Sequence, residues 1–256
     1  MDFLLFKERV RHNFKLDLNS YKENQLKRRL DNLMLKQKLN AGDYAAFFKL
    51  LISDRKAYLA FLDTLTINVS EFFRDKLMFA LLEEKVLPAL LNRGTLKVWS
   101  AACSSGAEPY SIAIILNELT PGRRHQIEGT DIDRNILQAA AVACYNADQV
   151  RNVNGPRLVK YFRRENNLYY LDESIKRMVS FRQHDLLLNP FGQGYDLIAC
   201  RNVMIYFTKE AQDVLNRKFY RALKPGGVLF IGASEMIFNY KELGFEKIAS
   251  CFYRRK

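Results

Sequence analysis

A passage that reads as strand, tight turn and helix constrains this chain more than any other. Residues 96–101 (LKVWSA) form a short apolar run of strand type. Glu108-Pro109 then opens a helical stretch through Leu119, with proline in the first turn, where its missing N–H costs nothing. The alternation continues downstream. Residues 126–130 read as a second strand ending at Asp131, and 135–143 as a helix rich in alanine. Residues 195–200 (YDLIAC) read as a strand, 208–223 as an amphipathic helix stopped by Lys-Pro-Gly-Gly at 224–227, and 228–233 (VLFIGA) as a further strand. Such alternation predicts an α/β fold, a Rossmann-like parallel sheet with helices on both faces. Residues 145–187 are long for one crossover and hold strand-like pieces at 168–171 and 178–183, which predicts a small β-rich insertion.

The first 65 residues follow a different rule. They contain no proline and a single glycine, Gly42, and their apolar residues recur at helical spacing. Leu26, Leu30 and Leu33 make one stripe, and Asn40-Ala-Gly-Asp separates it from the aromatic run at 43–51. The expected organisation is a basic helical domain over 1–65, a linker and first helix over 66–95, and a catalytic body over 96–256.

Composition narrows the class further. With 48% hydrophobic and 27% charged residues the chain is a folded protein with ample core. No apolar run approaches the roughly 20 residues of a membrane helix. Cys103, Cys144, Cys200 and Cys251 lack metal-ligand or disulfide spacing, and His12, His125 and His184 are scattered. No metal is therefore expected, and a reducing cytoplasm is the expected location. The net charge of +12 fits nucleic acid, an anionic membrane surface or an acidic protein equally. Residues 1–70 carry 13 Lys/Arg against 8 Asp/Glu, which makes the helical region the more basic per residue.

In an open α/β sheet, ligands bind beyond the carboxyl ends of the strands. The first turn here reads Ala101-Ala-Cys-Ser-Ser-Gly-Ala-Glu-Pro, in which only Gly106 survives of a GxGxxG pattern. Close backbone approach to a pyrophosphate needs glycine, so this turn suits a ligand without phosphates; an ordinary βα turn fits the same residues. Asp131 lies 25 positions beyond Gly106, near the offset at which an acid binds ribose hydroxyls, while Asp133 suits a helix cap. A glycine-poor turn with a ribose acid points to S-adenosyl-L-methionine.

Four blocks then carry a resemblance. They are Asn-Val-Ser-Glu-Phe-Phe-Arg (68–74), Trp-Ser-Ala-Ala-Cys-Ser-Ser-Gly-Ala-Glu-Pro-Tyr-Ser (99–111), Thr-Asp-Ile-Asp (130–133) and Cys-Arg-Asn-Val-Met-Ile-Tyr-Phe (200–207). With Leu-Lys-Pro-Gly-Gly (223–227) and Gly-Ala-Ser-Glu (232–235), they resemble, in order, the signature blocks of the chemotaxis receptor methyltransferases, the CheR family. The resemblance implies methyl transfer from S-adenosyl-L-methionine to glutamate side chains of chemoreceptors, giving glutamyl methyl esters and S-adenosyl-L-homocysteine. It implies that Asn68, Ser70 and Arg74 reach the cofactor from the linker, with Arg74 near the methyl group. It gives Glu108 to the cofactor's amino end, Asp131 to its ribose, Asp185 and Leu186 to the adenine, Asn202 and Val203 to the strand end below it, and Tyr206 to the active site.

Mechanism and partner follow as expectations. A glutamate is already ionised at neutral pH, so no general base is needed, and Arg74 and Tyr206 are the expected catalytic residues. Lys22, Arg29 and Lys36 lie seven apart beside the leucine stripe, with Arg28 extending the basic face. A solvated helix face explains them without a partner. A substrate-recognition role along the cytoplasmic helical bundle of chemotaxis receptors, long coiled coils with glutamates at heptad spacing in this family's partners, explains the pitch as well. Some family members dock a receptor-terminal pentapeptide on a glycine-rich loop of the insertion; residues 163–168 here read Arg-Arg-Glu-Asn-Asn-Leu, so pentapeptide-independent binding by a monomer is expected. No direct membrane insertion and no nucleic-acid partner are expected. The rival functions are a nucleic-acid methyltransferase, which lacks its Asn/Asp-Pro-Pro-Tyr/Phe loop or Pro-Cys nucleophile here, and a non-catalytic receptor-binding adaptor.

Overall fold

A computed structural model of the chain describes residues 1–66 and 70–256. It divides into two compact units. One comprises residues 1–66 with Tyr206–Leu215, the other residues 70–205 with Asn216–Lys256. A reading along the chain assigns 206–215 to the catalytic body; in three dimensions these residues group with the N-terminal helices. The reason is local pairing. Tyr206 accepts from the Lys22 amide at 2.9 Å, Tyr21 and Phe207 form a β-bridge, and the Thr208 amide donates to Ser20 at 2.8 Å.

The N-terminal unit contains α1 (Phe3–Phe14), α2 (Glu23–Lys36), α3 (Tyr44–Ser53) and α4 (Arg55–Thr66). Asp2 and Asp43 cap α1 and α3 by accepting the amides of Leu5 and Ala46, each at a site where a short polar side chain satisfies an orphan donor. The leucine stripe of α2 is its buried face, completed by Met34. Phe6, Phe47 and Phe61 are fully buried, with ring centroids 5.9 to 6.5 Å apart.

The larger unit is built on a seven-stranded sheet. Its strands are β1 (Lys97–Ala101), β2 (Gln126–Asp131), β6 (Val179–Gln183), β7 (Tyr195–Cys200), β8 (Leu223–Ile231), β9 (Phe245–Ala249) and β10 (Phe252–Arg255). The order is β6-β2-β1-β7-β8-β10-β9. The first five run parallel, and β10 is antiparallel to both neighbours. Every residue of β7 is buried, as is all of β1 after Lys97, which accounts for their unbroken apolar runs. Helices α7 (Ala107–Leu119), α8 (Arg134–Val142) and α12 (Lys209–Ala222) connect the strands. Ahead of β1 lie α5 (Lys76–Leu81), a π-helical turn (Leu82–Val86) and α6 (Leu87–Leu91).

Two details depart from expectation. Lys-Pro-Gly-Gly does not precede the last parallel strand but lies within it. Tyr195 pairs with Leu223 and Leu197 with Val228, so the extra residues bulge out, where Pro225 needs no ladder donor. The strand-like piece at 178–183 is also not part of the insertion: β6 pairs with β2 from Ile127↔Val179 to Asp131↔Gln183 and forms the edge of the main sheet. The insertion proper is a three-stranded antiparallel sheet of β3 (Cys144–Tyr145), β4 (Phe162–Glu165) and β5 (Leu168–Leu171), with α9 (Ala147–Val150), α10 (Gly155–Tyr161) and α11 (Glu173–Lys176). Among the described residues no helix is long and apolar enough to cross a membrane.

Candidate active site

The strand order reverses direction beside β1, the position at which open α/β sheets bind ligands beyond the carboxyl ends of their strands, here β1, β2 and β7. The turn after β1 takes left-handed backbone at Ala102 (φ 60°), Ser104 (φ 50°) and Gly106 (φ 82°). Only the last demands glycine. A Cβ on Gly106 would stand 3.0 Å from Ala140 of α8 and Phe181 of β6, so α7 can start this close to them only without one.

Asp131 ends β2 almost wholly buried, at 4% exposure. One of its oxygens accepts the Ser104 amide at 2.9 Å and the other the Asp133 amide at 3.1 Å. Burial pushes this carboxyl up, opposed by those amide bonds. The Ile132 amide adds a further pull, and the two oxygens together keep acceptor capacity for a ligand hydroxyl. Asp133 is the α8 cap, accepting from Asn135 and Ile136. The His184 amide donates to the Asp131 carbonyl at 2.8 Å, which brings Asp185 and Leu186 beside the same strand end. Asp185 uses one carboxylate oxygen to cap its own turn, accepting the amides of Leu187 (2.8 Å) and Leu188 (3.3 Å). Leu186 is buried, and Lys218 fixes the turn by donating to the carbonyls of Leu187 and Leu186.

Glu108 lies in the first turn of α7, where the helix dipole favours an anion. It accepts the Ser100 hydroxyl at 2.7 Å and Arg201 Nη1 at 3.3 Å. Arg201 is the centre of this region. Its side chain is 2% exposed, and it also donates to Asp75 at 2.6 Å and to the Arg74 carbonyl at 2.9 Å. The guanidinium lies over the rings of Phe230 and Phe79, 4.5 and 5.2 Å from their centroids. Arg74 thus sits in a turn flanked by Phe73 (φ 49°) and Asp75 (φ 62°), two non-glycine residues in left-handed conformation. Such conformations cost on the order of 1–3 kcal/mol each and persist only where the surroundings impose them. Ser70 is half-buried at the start of this segment; Asn68 lies outside the described residues.

Asn202 and Val203, half-buried past β7, are held by Glu235. Its carboxylate accepts the amides of Gly232 (2.7 Å), Asn202 (3.0 Å) and Met204 (2.8 Å). A Cβ on Gly232 would meet the Asn202 nitrogen at 2.9 Å, which explains the small residue before Glu235. Burial pushes the Glu235 carboxyl up, against the pull of these amides and that of Ile205. A carboxyl whose folded pKa is raised lends stability that is complete below its unfolded value, about 4.3, and is lost as pH rises through the folded value. The stability advantage of wild type over Glu235→Gln is therefore expected to shrink as pH rises above the carboxylate range. Urea unfolding across pH reads this directly, and a pH-independent difference would contradict it.

Tyr206, Lys22, Arg28, Arg29 and Lys36 belong to the N-terminal unit. Lys22, Arg28 and Lys36 are exposed, but Arg29 is not one of a free row. It is half-buried, donates to the Thr64 carbonyl at 3.1 Å, and lies 4.8 Å from the Tyr206 ring centroid. The leucine stripe beside it turns inward and carries Arg29 with it, so heptad spacing alone did not fix its exposure.

Sequence reasoning assigned no role to Arg201 or Glu235, although both stand in the quoted blocks. For Arg201 the signal was available: it directly follows a strand of buried residues, and a charge at such a place is rarely buried unless paired.

The sheet order, the buried acid ending the second strand and the glycine-poor first turn define an S-adenosylmethionine-dependent methyltransferase. The residues fit that cofactor: Asp131 retains acceptors for a ribose diol, and Glu108 offers an acid to an ammonium. The chain belongs to the CheR methyltransferase family. Residues 68–252 match the family's SAM-binding domain and residues 1–66 its all-alpha domain. It is 40% identical over 254 residues to a chemotaxis protein methyltransferase of Listeria innocua, covering 98% of this chain and 96% of that one. It is 32% identical to that of Borreliella burgdorferi, covering 92% and 88%, and 35% identical to that of Escherichia coli, covering 83% and 74%.

Proposed function

We propose that the chain transfers the methyl group of S-adenosylmethionine to glutamate side chains on the cytoplasmic helical bundle of chemotaxis receptors, forming glutamyl methyl esters. The observation that carries this reading is the Arg74 turn. Arg201 joins its backbone to Glu108, so a cation suited to a carboxylate stands one side chain away from the acid proposed for the cofactor's amino end.

When bound, the cofactor supplies an already activated sulfonium methyl. A glutamate substrate, with an unperturbed pKa of about 4.3, arrives as the nucleophilic carboxylate, so no side chain must take a proton. What remains for the protein is alignment, which contributes roughly 7–11 kcal/mol in well-oriented reactions. Arg74 holds the incoming carboxylate by a charge-assisted pair. Asp131 takes the ribose and Glu108 the amino end, with Ser70, Asp185, Leu186, Asn202 and Val203 completing the cofactor contacts; Asn68 and the Tyr206 hydroxyl join them on the strength of the family resemblance. The test is radiolabelled methyl transfer to receptor-rich membranes with a base-labile product. Label that resists base, or that appears in nucleic acid, would overturn the reading.

Receptor recognition is proposed for the exposed cations of the N-terminal unit, Lys22, Arg28 and Lys36. Charge reversal at all three is expected to raise the KM for receptor about tenfold or more, as expected where rim charges set encounter, with cofactor affinity intact. Arg29→Glu is expected to behave differently, lowering the melting temperature because its guanidinium is committed to Thr64 and Tyr206.

A further inference from the structure

The strained turn around Arg74 is gripped on both sides of that residue by largely buried arginines. Arg201 grips the residue after it, Asp75, together with the Arg74 carbonyl. Arg157 grips the residue before it: its guanidinium lies 5.0 Å from the centroid of Phe73. Arg157 is itself fixed, donating to Glu118 of α7 at 2.6 and 2.9 Å and to Glu83 of the π-helical turn at 2.5 Å, with its side chain 13% exposed. Burial alone would lower its pKa, but the two glutamates outweigh this and raise it.

Arg157 belongs to α10 of the insertion, and it is not alone. The Phe72 amide donates to the carbonyl of Gln149 at 2.8 Å. The Phe72 ring stands edge-on to Tyr145 and Phe162, at 4.8 and 5.1 Å between centroids. Arg151 pairs with Glu71 at 2.7 Å. Tyr145, Gln149, Arg151, Arg157 and Phe162 are all insertion residues. From the other side, the Ser111 hydroxyl accepts the Phe73 amide at 3.0 Å. Residues 71–75 are thus bonded on one hand to the insertion and on the other to the sheet's own helix and strand end.

We propose that the insertion is a splint for the Arg74 turn, and that Arg157 is a positioning residue for methyl transfer, acting through Phe73 as Arg201 acts through Asp75. A left-handed, non-glycine turn relaxes when its holders are removed, and Arg74 then leaves the geometry in which it meets a carboxylate. The catalytic consequence rests on the methyl-transfer reading above; the structural one does not.

Hydrogen exchange on the full chain tests this, read together with receptor methylation and S-adenosylmethionine binding by calorimetry. Arg157→Lys keeps the charge but loses the planar face over Phe73 and the forked hold on Glu118. Amides 72–76 are expected to exchange at least tenfold faster, with those of β1 and β7 unchanged. The kcat for methyl transfer is expected to fall at least tenfold, and cofactor Kd to stay within threefold. Glu83→Gln, which leaves the Glu118 pair in place, is expected to show the same changes in smaller measure. Unchanged exchange at 72–76, or a uniform rise across the sheet, overturns the splint. Faster exchange with unchanged kcat overturns its link to Arg74. If even the wild type methylates no receptor, the methyl-transfer reading fails while the exchange result still decides the splint.

Discussion

Arg74→Ala is expected to lower methyl transfer to receptors by about 10²–10³-fold, the loss typical of removing a preorganised group that faces the reacting atoms. S-adenosylmethionine binding is expected to change by less than about threefold, because Glu108 and Asp131, rather than the guanidinium, are proposed to take the cofactor's polar ends. Steady-state kinetics at saturating cofactor, paired with calorimetry, separates the two quantities. Equal losses in both would make Arg74 a cofactor anchor and nothing more. The contrast is sharp because the Arg74 turn is held through its backbone and its neighbours. Alanine leaves the carbonyl bond from Arg201 and the flanking grips on Phe73 and Asp75 in place.

Asp131→Ala is expected to give the opposite pattern. Hydrogen bonds to a charged group contribute roughly 1.5–3 kcal/mol each, so losing the carboxylate proposed to take the ribose diol is expected to weaken cofactor affinity by about 100-fold or more. The kcat at saturating cofactor is expected to fall by less than about tenfold. Asp131 also ties the amides of Ser104 and Asp133, so a purely structural role is the competing explanation. Asp131→Asn distinguishes them. It keeps an amide oxygen for one of the two backbone donors but lacks the anionic second acceptor. If Asn restores full cofactor affinity, the ribose role is wrong and the residue is a loop tie.

Much of the catalytic unit was legible in the sequence because its signals are local. A buried parallel strand is a short apolar run, and 96–101, 126–130 and 195–200 each found one within a residue or two. The positions of Asp131 and Asp133 were legible: the one ends a strand, and the other starts and caps a helix. What the sequence hid is long-range. Residues 178–183 read as part of an insertion because they follow one along the chain; their partner is β2, some fifty residues earlier. Arg29 read as a free cation because spacing reports the side of a helix and not what packs against it. Arg201 and Glu235 stayed without roles because their partners, Asp75, Glu108 and the Asn202–Met204 amides, come from segments far apart in the chain.

The π-helical turn at Leu82–Val86 has a bearing on how this protein can vary. Before it, Phe79 is buried against Phe73 and beneath Arg201; after it, Leu87 and Leu90 are buried. Glu83, within it, faces Arg157. In a regular helix each residue advances the azimuth by about 100°, and a π turn accommodates one residue more than that winding allows. The turn therefore sets the phase between two buried faces. Deleting one residue there would remove that extra residue and regularise the helix with both faces still in phase, whereas inserting another would rotate one face off its contacts. A one-residue shortening is accordingly the length change this helix can absorb.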